Sequence, residues 1–262
     1  MRMDQALLEI GPSQLLVALG FIVLGAATSL VHGLGLERDL FWGTLRTFAQ
    51  LFVMGYVLTL IFRVRHPGPV LAFYGVMILS AAWIIRSRVS ERAVAFFLPT
   101  LASMLAGYFV ITYVVTAFVV GVQPWWRPQY FLPLGGMVIG NSMNAVAIAL
   151  ERLFGELRRR RGDVEMLLSL GADYKEASAE TFRAAIKAGM IPSINAMMGV
   201  GIVFLPGMMT GQILAGADPL VAIRYQIVVM LMLVGSTTLG TLLVVWLVRR
   251  RCFGPKHELL LR

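Results

Sequence analysis

Charge is scarce in this sequence. Asp, Glu, Lys and Arg make up 14% of the 262 residues, against about 25% in soluble domains, while 58% of residues are hydrophobic and the mean hydropathy is +0.78. No soluble fold of this length hides so much apolar surface, so the bilayer is the solvent for most of the chain. Cysteine is nearly missing: Cys252 stands alone, which excludes an intramolecular disulfide and a cysteine cluster for zinc or iron–sulfur binding. A free thiol beside an apolar span is expected to be inert. No Gly-x-x-x-x-Gly-Lys-Ser/Thr phosphate loop occurs, so the chain lacks the glycine cradle and lysine that hold a triphosphate. His-Glu-x-x-His, a Gly-x-Ser-x-Gly with partners and a carboxylate pair are missing too, and no catalytic residue can be nominated. Closed β-barrels need alternating segments of about ten residues, and none is present. Repeats and Pro/Ser-rich linkers are lacking, so residues 1–262 read as one transmembrane domain.

What is there is a series of apolar runs of helical length. Seven spans are expected, at 13–33, 44–62, 69–86, 94–120, 131–151, 190–214 and 225–248, each near the length a hydrocarbon core requires. The expected fold class is therefore all-α, a polytopic membrane helix bundle. If the polar stretch 152–189 is cytoplasmic, 18 of the 23 Lys and Arg residues fall inside, as the positive-inside rule favours. That places the N-terminus outside and the C-terminus inside, and the expected location is a bacterial inner membrane. The basic run Arg158–Arg161 then serves topology and lipid headgroups rather than nucleic acid. Asp4 and Glu9 spoil a signal-peptide n-region, so the first span is expected to stay uncleaved. "PWWRPQY" at 124–130 reads as an interfacial aromatic belt.

The polar interruption is itself helical by pattern. Leu167, Leu170, Tyr174, Ser178, Thr181, Phe182 and Ile186 recur at three-to-four spacing. Gly171 interrupts the run, and "DYKE" at 173–176 resembles a capping box that starts a second helix. The chain is expected to make a short helix, turn at Gly171, and run on to Pro192 into the sixth span. The bland alternative is a surface helix that covers the bundle.

Glu165 six residues before Gly171, an amphipathic basic helix and Ile191-Pro192 resemble the coupling loop of ABC-transporter membrane subunits, with its E-A-A-x-x-x-G pattern. Met166 and Leu167 stand where that pattern has two alanines. More of the chain is involved in a second likeness. "RTFAQLFVMGYVL", "GGMVIGNSMNA", "SLGADYKEAS", "AGMIPSINAMM" and above all "LPGMMTGQILAGADP" at 205–219 resemble the Fet B-type ABC transporter permease family. These are membrane subunits of bacterial iron exporters, with plant aluminium-tolerance relatives. The resemblance runs in order from about residue 37 to 252. It implies an iron-exporting permease, acting as a homodimer in membrane lipid, whose ATP and magnesium are bound by a separate ATPase subunit. It also implies that Glu165, Leu167, Leu168, Gly171, Asp173, Tyr174, Lys175 and Glu176 form the ATPase-coupling element. A sugar nucleotide or other small solute, or a secondary transporter without an ATPase, remains open as an alternative. The last would need ionisable groups in mid-span, which the spans lack apart from His32 near an end.

Polar and break-forming residues inside the spans are the candidates for a translocation pathway. They are Asn141, Asn144, Asn195, Pro206, Gly207, Met208, Met209, Gly211 and Gln212. Pro206-Gly207 predicts a break in the sixth span. Interhelical hydrogen bonding is the plain alternative for the asparagines, and close helix packing for Gly136-x-x-x-Gly140 and Gly207-x-x-x-Gly211. Seven of the 15 methionines fall in spans five and six. Thioethers suit soft ions, yet methionine is also ordinary pliable packing, so the metal ligands stay unknown.

Overall fold

The computed structural model describes residues 11–254 and 258–261. Arg2, Asp4, Glu9, Lys256 and Arg262, used above in the charge arguments, lie outside the described residues. The described residues form α-helices joined by short turns, with no strand among them. Contacts group these helices into two units, residues 1–65 with 214–216, and residues 66–213 with 217–262.

The described part of the first unit is a helical hairpin of α1 (Pro12–Val31) and α2 (Glu37–Ile61). Its turn uses Gly33 and Gly35 at φ +62° and +69°, a region open to glycine at little cost. Ser29 closes the hairpin: its hydroxyl accepts from the Leu36 N–H and donates to Glu37 Oε2, each at 2.8 Å.

In the second unit the helices are α3 (Pro67–Arg88), α4 (Phe97–Val114, continued by a π-helical turn over Val115–Val119), α5 (Pro128–Arg159), α6 (Arg161–Ser169), α7 (Tyr174–Ala177), α8 (Ala179–Gly199), α9 (Gly207–Leu214) and α10 (Pro219–Arg251). Proline opens α3, α5 and α10, where its missing N–H costs nothing and its fixed φ suits the first turn. Asp218 adds a cap on α10, accepting from the N–H groups of Leu220 and Val221 at 2.9 and 3.2 Å.

α5 is the central post, touching α3, α4, α8 and α10. Between lipid-bathed helices there is little hydrophobic driving force, so close packing and hydrogen bonds carry the association. Both are visible. Gly189 of α8 is pressed so tightly that a Cβ there would lie 2.7 Å from the Ala145 carbonyl oxygen and 3.0 Å from both Ala149 and Thr241. Gly240 of α10 lies beneath the Tyr108 ring, and Gly135 of α5 beneath that of Tyr74. Hydroxyl pairs bridge Tyr74 to Thr112 at 3.0 Å and Ser142 to Ser236 at 3.1 Å. At one end of the unit Trp125 packs edge-on against Phe109, Tyr113 and Phe131, so that part of the expected aromatic belt is a cluster within the chain.

Six helices among the described residues are long and apolar enough to cross a bilayer: α1, α2, α3, α4 with its π-helical turn, α5 and α10. The expected sixth span, 190–214, is instead two helices. α8 runs straight through Pro192 to Gly199, and the chain then leaves the helical ladder from Val200 to Pro206 before α9 begins. The break predicted at Pro206-Gly207 thus starts six residues earlier. Gly201, at φ +84°, begins it, and its N–H turns to the Phe204 carbonyl at 2.9 Å. α5 outlasts its expected span by two turns because Arg152–Arg159 continue it beyond the apolar stretch.

Candidate functional site

The residues expected to form the coupling element make an elbow. α6 ends at Ser169, Gly171 takes φ +95°, and α7 starts behind a complete capping box. Asp173 accepts from the Glu176 N–H at 2.7 Å while the Asp173 N–H donates to Glu176 Oε2 at 3.0 Å. Only a residue tolerant of positive φ fits at Gly171, so Gly171, Asp173 and Glu176 set the bend. Glu165 is paired with Arg161 at 2.6 Å one turn back. Leu167 and Lys175 are exposed and Leu168 is half-buried. Tyr174 turns inward: its ring lies 5.7 Å from that of Phe253, and the Arg249 guanidinium stands 5.9 Å above it and 4.2 Å above Phe182. Two apolar side chains that the motif did not single out project from the elbow instead, Met166 and Leu170, the latter 77% exposed. Helical spacing placed Leu170 on the apolar stripe, and only the fold shows that this end of the stripe is bare.

The elbow is tied down from behind. After α10 the chain turns back, with Phe253 and Leu259 bridged and the Leu260 N–H donating to the Cys252 carbonyl at 2.8 Å. Leu259 and Leu261 are buried, and the Leu261 carbonyl accepts from Arg161 at 3.4 Å. Cys252 is buried there, and burial pushes its thiol up from 9.0 to about 12, Glu91 adding to the effect.

Basic residues from separate stretches gather at this end. Arg158 reaches Glu91, a carboxylate buried in the turn between α3 and α4, at 2.5 Å. The Arg92 and Ala93 N–H groups also donate to Glu91, at 2.8 and 2.6 Å. Ser90 grips Glu151 through its N–H at 2.6 Å and its hydroxyl at 2.8 Å. Glu156 is shared by Arg152, Arg159 and Arg160, and Arg160 also pairs with Glu180, which raises the Arg160 pKa. These carboxylates could not be found from charge counting, which registers sign and not partner. Beside them opens a cleft of about 910 Å³, lined by Arg88, Asn144, Glu151, Arg152 and Arg159 among others.

The pathway candidates separate into distinct places. Asn141 donates to Ser193 and Thr237 at 3.1 and 3.3 Å, and those two hydroxyls lie 3.1 Å apart, knitting α5, α8 and α10 together. Asn144 accepts from Arg88 at 2.8 Å in the charged cleft. Asn195 is exposed on α8. Pro206 and Met209 line a separate cavity of about 380 Å³ at the α8–α9 break. Met208 is half-buried and Gln212 carries a buried Oε1 without a hydrogen-bond partner. Gly207 and Gly211 are exposed, and a Cβ at either would meet nothing within 4 Å, as would one at Gly140. Of the glycines at GxxxG spacing, Gly136 packs closely, a Cβ there lying 3.1 Å from Met77 Cε, while the tightest helix contacts, at Gly135, Gly189 and Gly240, fall outside those spacings.

Residues 12–253 match the family described as "Uncharacterised protein family (UPF0014)". The chain belongs to this family. A UPF0014 membrane protein of Synechocystis is 39% identical over 98% of this chain and 100% of its own length. The "Probable iron export permease protein FetB" of Escherichia coli is 34% identical over 94% and 93% of the two chains. "Protein ALUMINUM SENSITIVE 3" of Arabidopsis thaliana is 31% identical over 92% and 87%. No solved structure matches the chain. UPF0014 membership and the six apolar helices together make this a multi-pass membrane protein.

Proposed function

We propose that this UPF0014 chain is the membrane-spanning permease subunit of an ABC exporter, working as a homodimer, and that a separate subunit binds and hydrolyses magnesium-ATP. The observation that carries the reading is the elbow. A bilayer-embedded chain extends α5 beyond its apolar length, bends at Gly171 with a complete capping box, and leaves Met166, Leu167 and Leu170 bare among charged residues. Apolar side chains presented on a rigid polar mount suit a groove in a soluble partner. The cargo follows from the relative named an iron export permease: a metal ion is the first choice.

The charged cleft favours a second reading in which the ATPase is kept and the cargo changes. Arg88, Arg152 and Arg159 line it, and Arg88 is bonded to the neutral Asn144 amide. Arg152 and Arg159 are paired with Glu156, so Arg88, bonded to a neutral amide, is the guanidinium that suits a phosphorylated solute such as a sugar nucleotide. Leu170→Asp tests the common part. Co-expressed with a phosphate-loop ATPase subunit, the wild-type chain should co-purify with it and couple ATP hydrolysis to efflux from vesicles, whereas the variant should fold yet lose both. Retained association would overturn the docking assignment. Stimulation of hydrolysis by Fe(II) against a nucleotide sugar separates the two cargoes.

A further inference from the structure

The cavity at the α8–α9 break differs in chemistry from the charged cleft. It is bounded by Met197 of α8, Met209 of α9, and Gln226 and Met230 of α10, and its remaining lining residues are aliphatic, glycine or proline. No Asp, Glu, His, Cys, Lys or Arg lines it. Gln226 is only 5% exposed, and its Oε1 is buried without a hydrogen-bond partner. Native structures seldom leave a buried carbonyl oxygen unpaired.

The donor set is selective. Thioether sulfur is a soft, polarisable, neutral ligand that favours Cu(I) over hard ions. Neutral donors also discriminate by charge. The cost of desolvating an ion grows with the square of its charge, and a divalent ion in an apolar cavity has no carboxylate here to offset that cost. For a monovalent ion of similar size the same cost is about a quarter as large, within reach of neutral donors.

We propose that this cavity binds a soft monovalent metal ion, Cu(I) or its surrogate Ag(I), through the thioethers of Met197, Met209 and Met230 with the Gln226 amide oxygen as a further donor. The proposal extends the transport reading by naming a class of cargo, but binding requires no ATPase, so the two can fail separately.

The test uses the full chain purified in detergent and carrying Cys252→Ala, so that the lone thiol contributes nothing. Titration with Ag(I), and with Cu(I) against a chromogenic Cu(I) chelator, should show one ion per chain. M197L/M209L/M230L should weaken binding at least tenfold, and Gln226→Leu should weaken it several-fold. M137L/M143L/M190L, which alters methionines outside the cavity, should bind as the parent does. Should the first triple variant fail to run as a single species on gel filtration, the three single replacements must each weaken binding. Equal binding by parent and cavity variants, or displacement of Ag(I) by equimolar Fe(II), would overturn the proposal.

Discussion

The middle of α8 and its C-terminal end are built on opposite principles. Around Gly189 and Ser193 the helix is locked: backbone touches backbone at Ala145, and one hydroxyl joins Asn141 and Thr237 in a closed triad. One to three turns later, around Met197 and Val200, the same helix loosens into a break with a cavity against α10. Packed small residues with satisfied polar groups leave no room for a ligand and little freedom to move. Flexible thioethers around an unwound segment leave both. In a broken membrane helix the rigid half can act as an anchor while the unwound half meets the cargo.

Crowding the locked middle of α8 should have the largest effect. Gly189→Leu forces a side chain against the Ala145 carbonyl, which cannot swing away as a side-chain tip would. Overpacking costs about 1–3 kcal/mol or more, and the variant should lose most of its monodisperse yield in detergent. Gly140→Ala, which meets nothing within 4 Å, should stay within about 0.5 kcal/mol of the parent in a thermal scan. Removing the triad's amide comes next. Asn141→Leu should cost about 0.6–1.7 kcal/mol, the range for interhelical hydrogen bonds in membranes, read as a lower unfolding temperature. At the loose end Met197→Leu, close in volume, should change stability by less than about 1.5 kcal/mol while altering metal binding. If Met197→Leu proved as destabilising as Asn141→Leu, the contrast between the two regions would collapse.

The smallest expected effect is at Cys252, a second locked place. The unfolded thiol ionises from about 9.0, whereas the buried one keeps its proton to about 12. The stability it contributes is therefore complete below pH 9 and is lost as pH rises from there towards 12. Alkylation of native protein by a maleimide should remain slow at pH 8 and accelerate only on unfolding, measured by mass shift against time.

Much of this was legible in the sequence, for reasons that also mark where legibility ended. Hydropathy reports the solvent, so the apolar segments and the all-α class were readable. It does not report neighbours: α1 and α10 have almost the same hydropathy, yet 6% of one window and 44% of the other are buried. Local backbone chemistry was readable wherever one residue type decides it. Gly171 and the Asp173–Glu176 capping box were found because positive φ and a reciprocal cap have strong residue preferences. Long-range pairing was not. Ser90–Glu151 and Glu91–Arg158 join residues 61 and 67 positions apart, and nothing local marks either end. Pro192 misled in the other direction, since a proline inside a helix reads as an end unless packing holds the helix together. Gly189 was overlooked because its small size serves contacts with Ala145, Ala149 and Thr241 instead of a repeating motif.

The tail that folds back behind Tyr174 makes the elbow a yoke. α5 and α8 are harnessed to it by covalent bonds, and α10 by the Arg249 guanidinium over Phe182, the Phe253 ring and the Leu261 carbonyl on Arg161. A tug on Leu170 is thus shared among three shafts, two of which flank the cavity at their far ends. Cutting the chain after Cys252 would slip one trace of that harness while leaving the elbow's own bend intact.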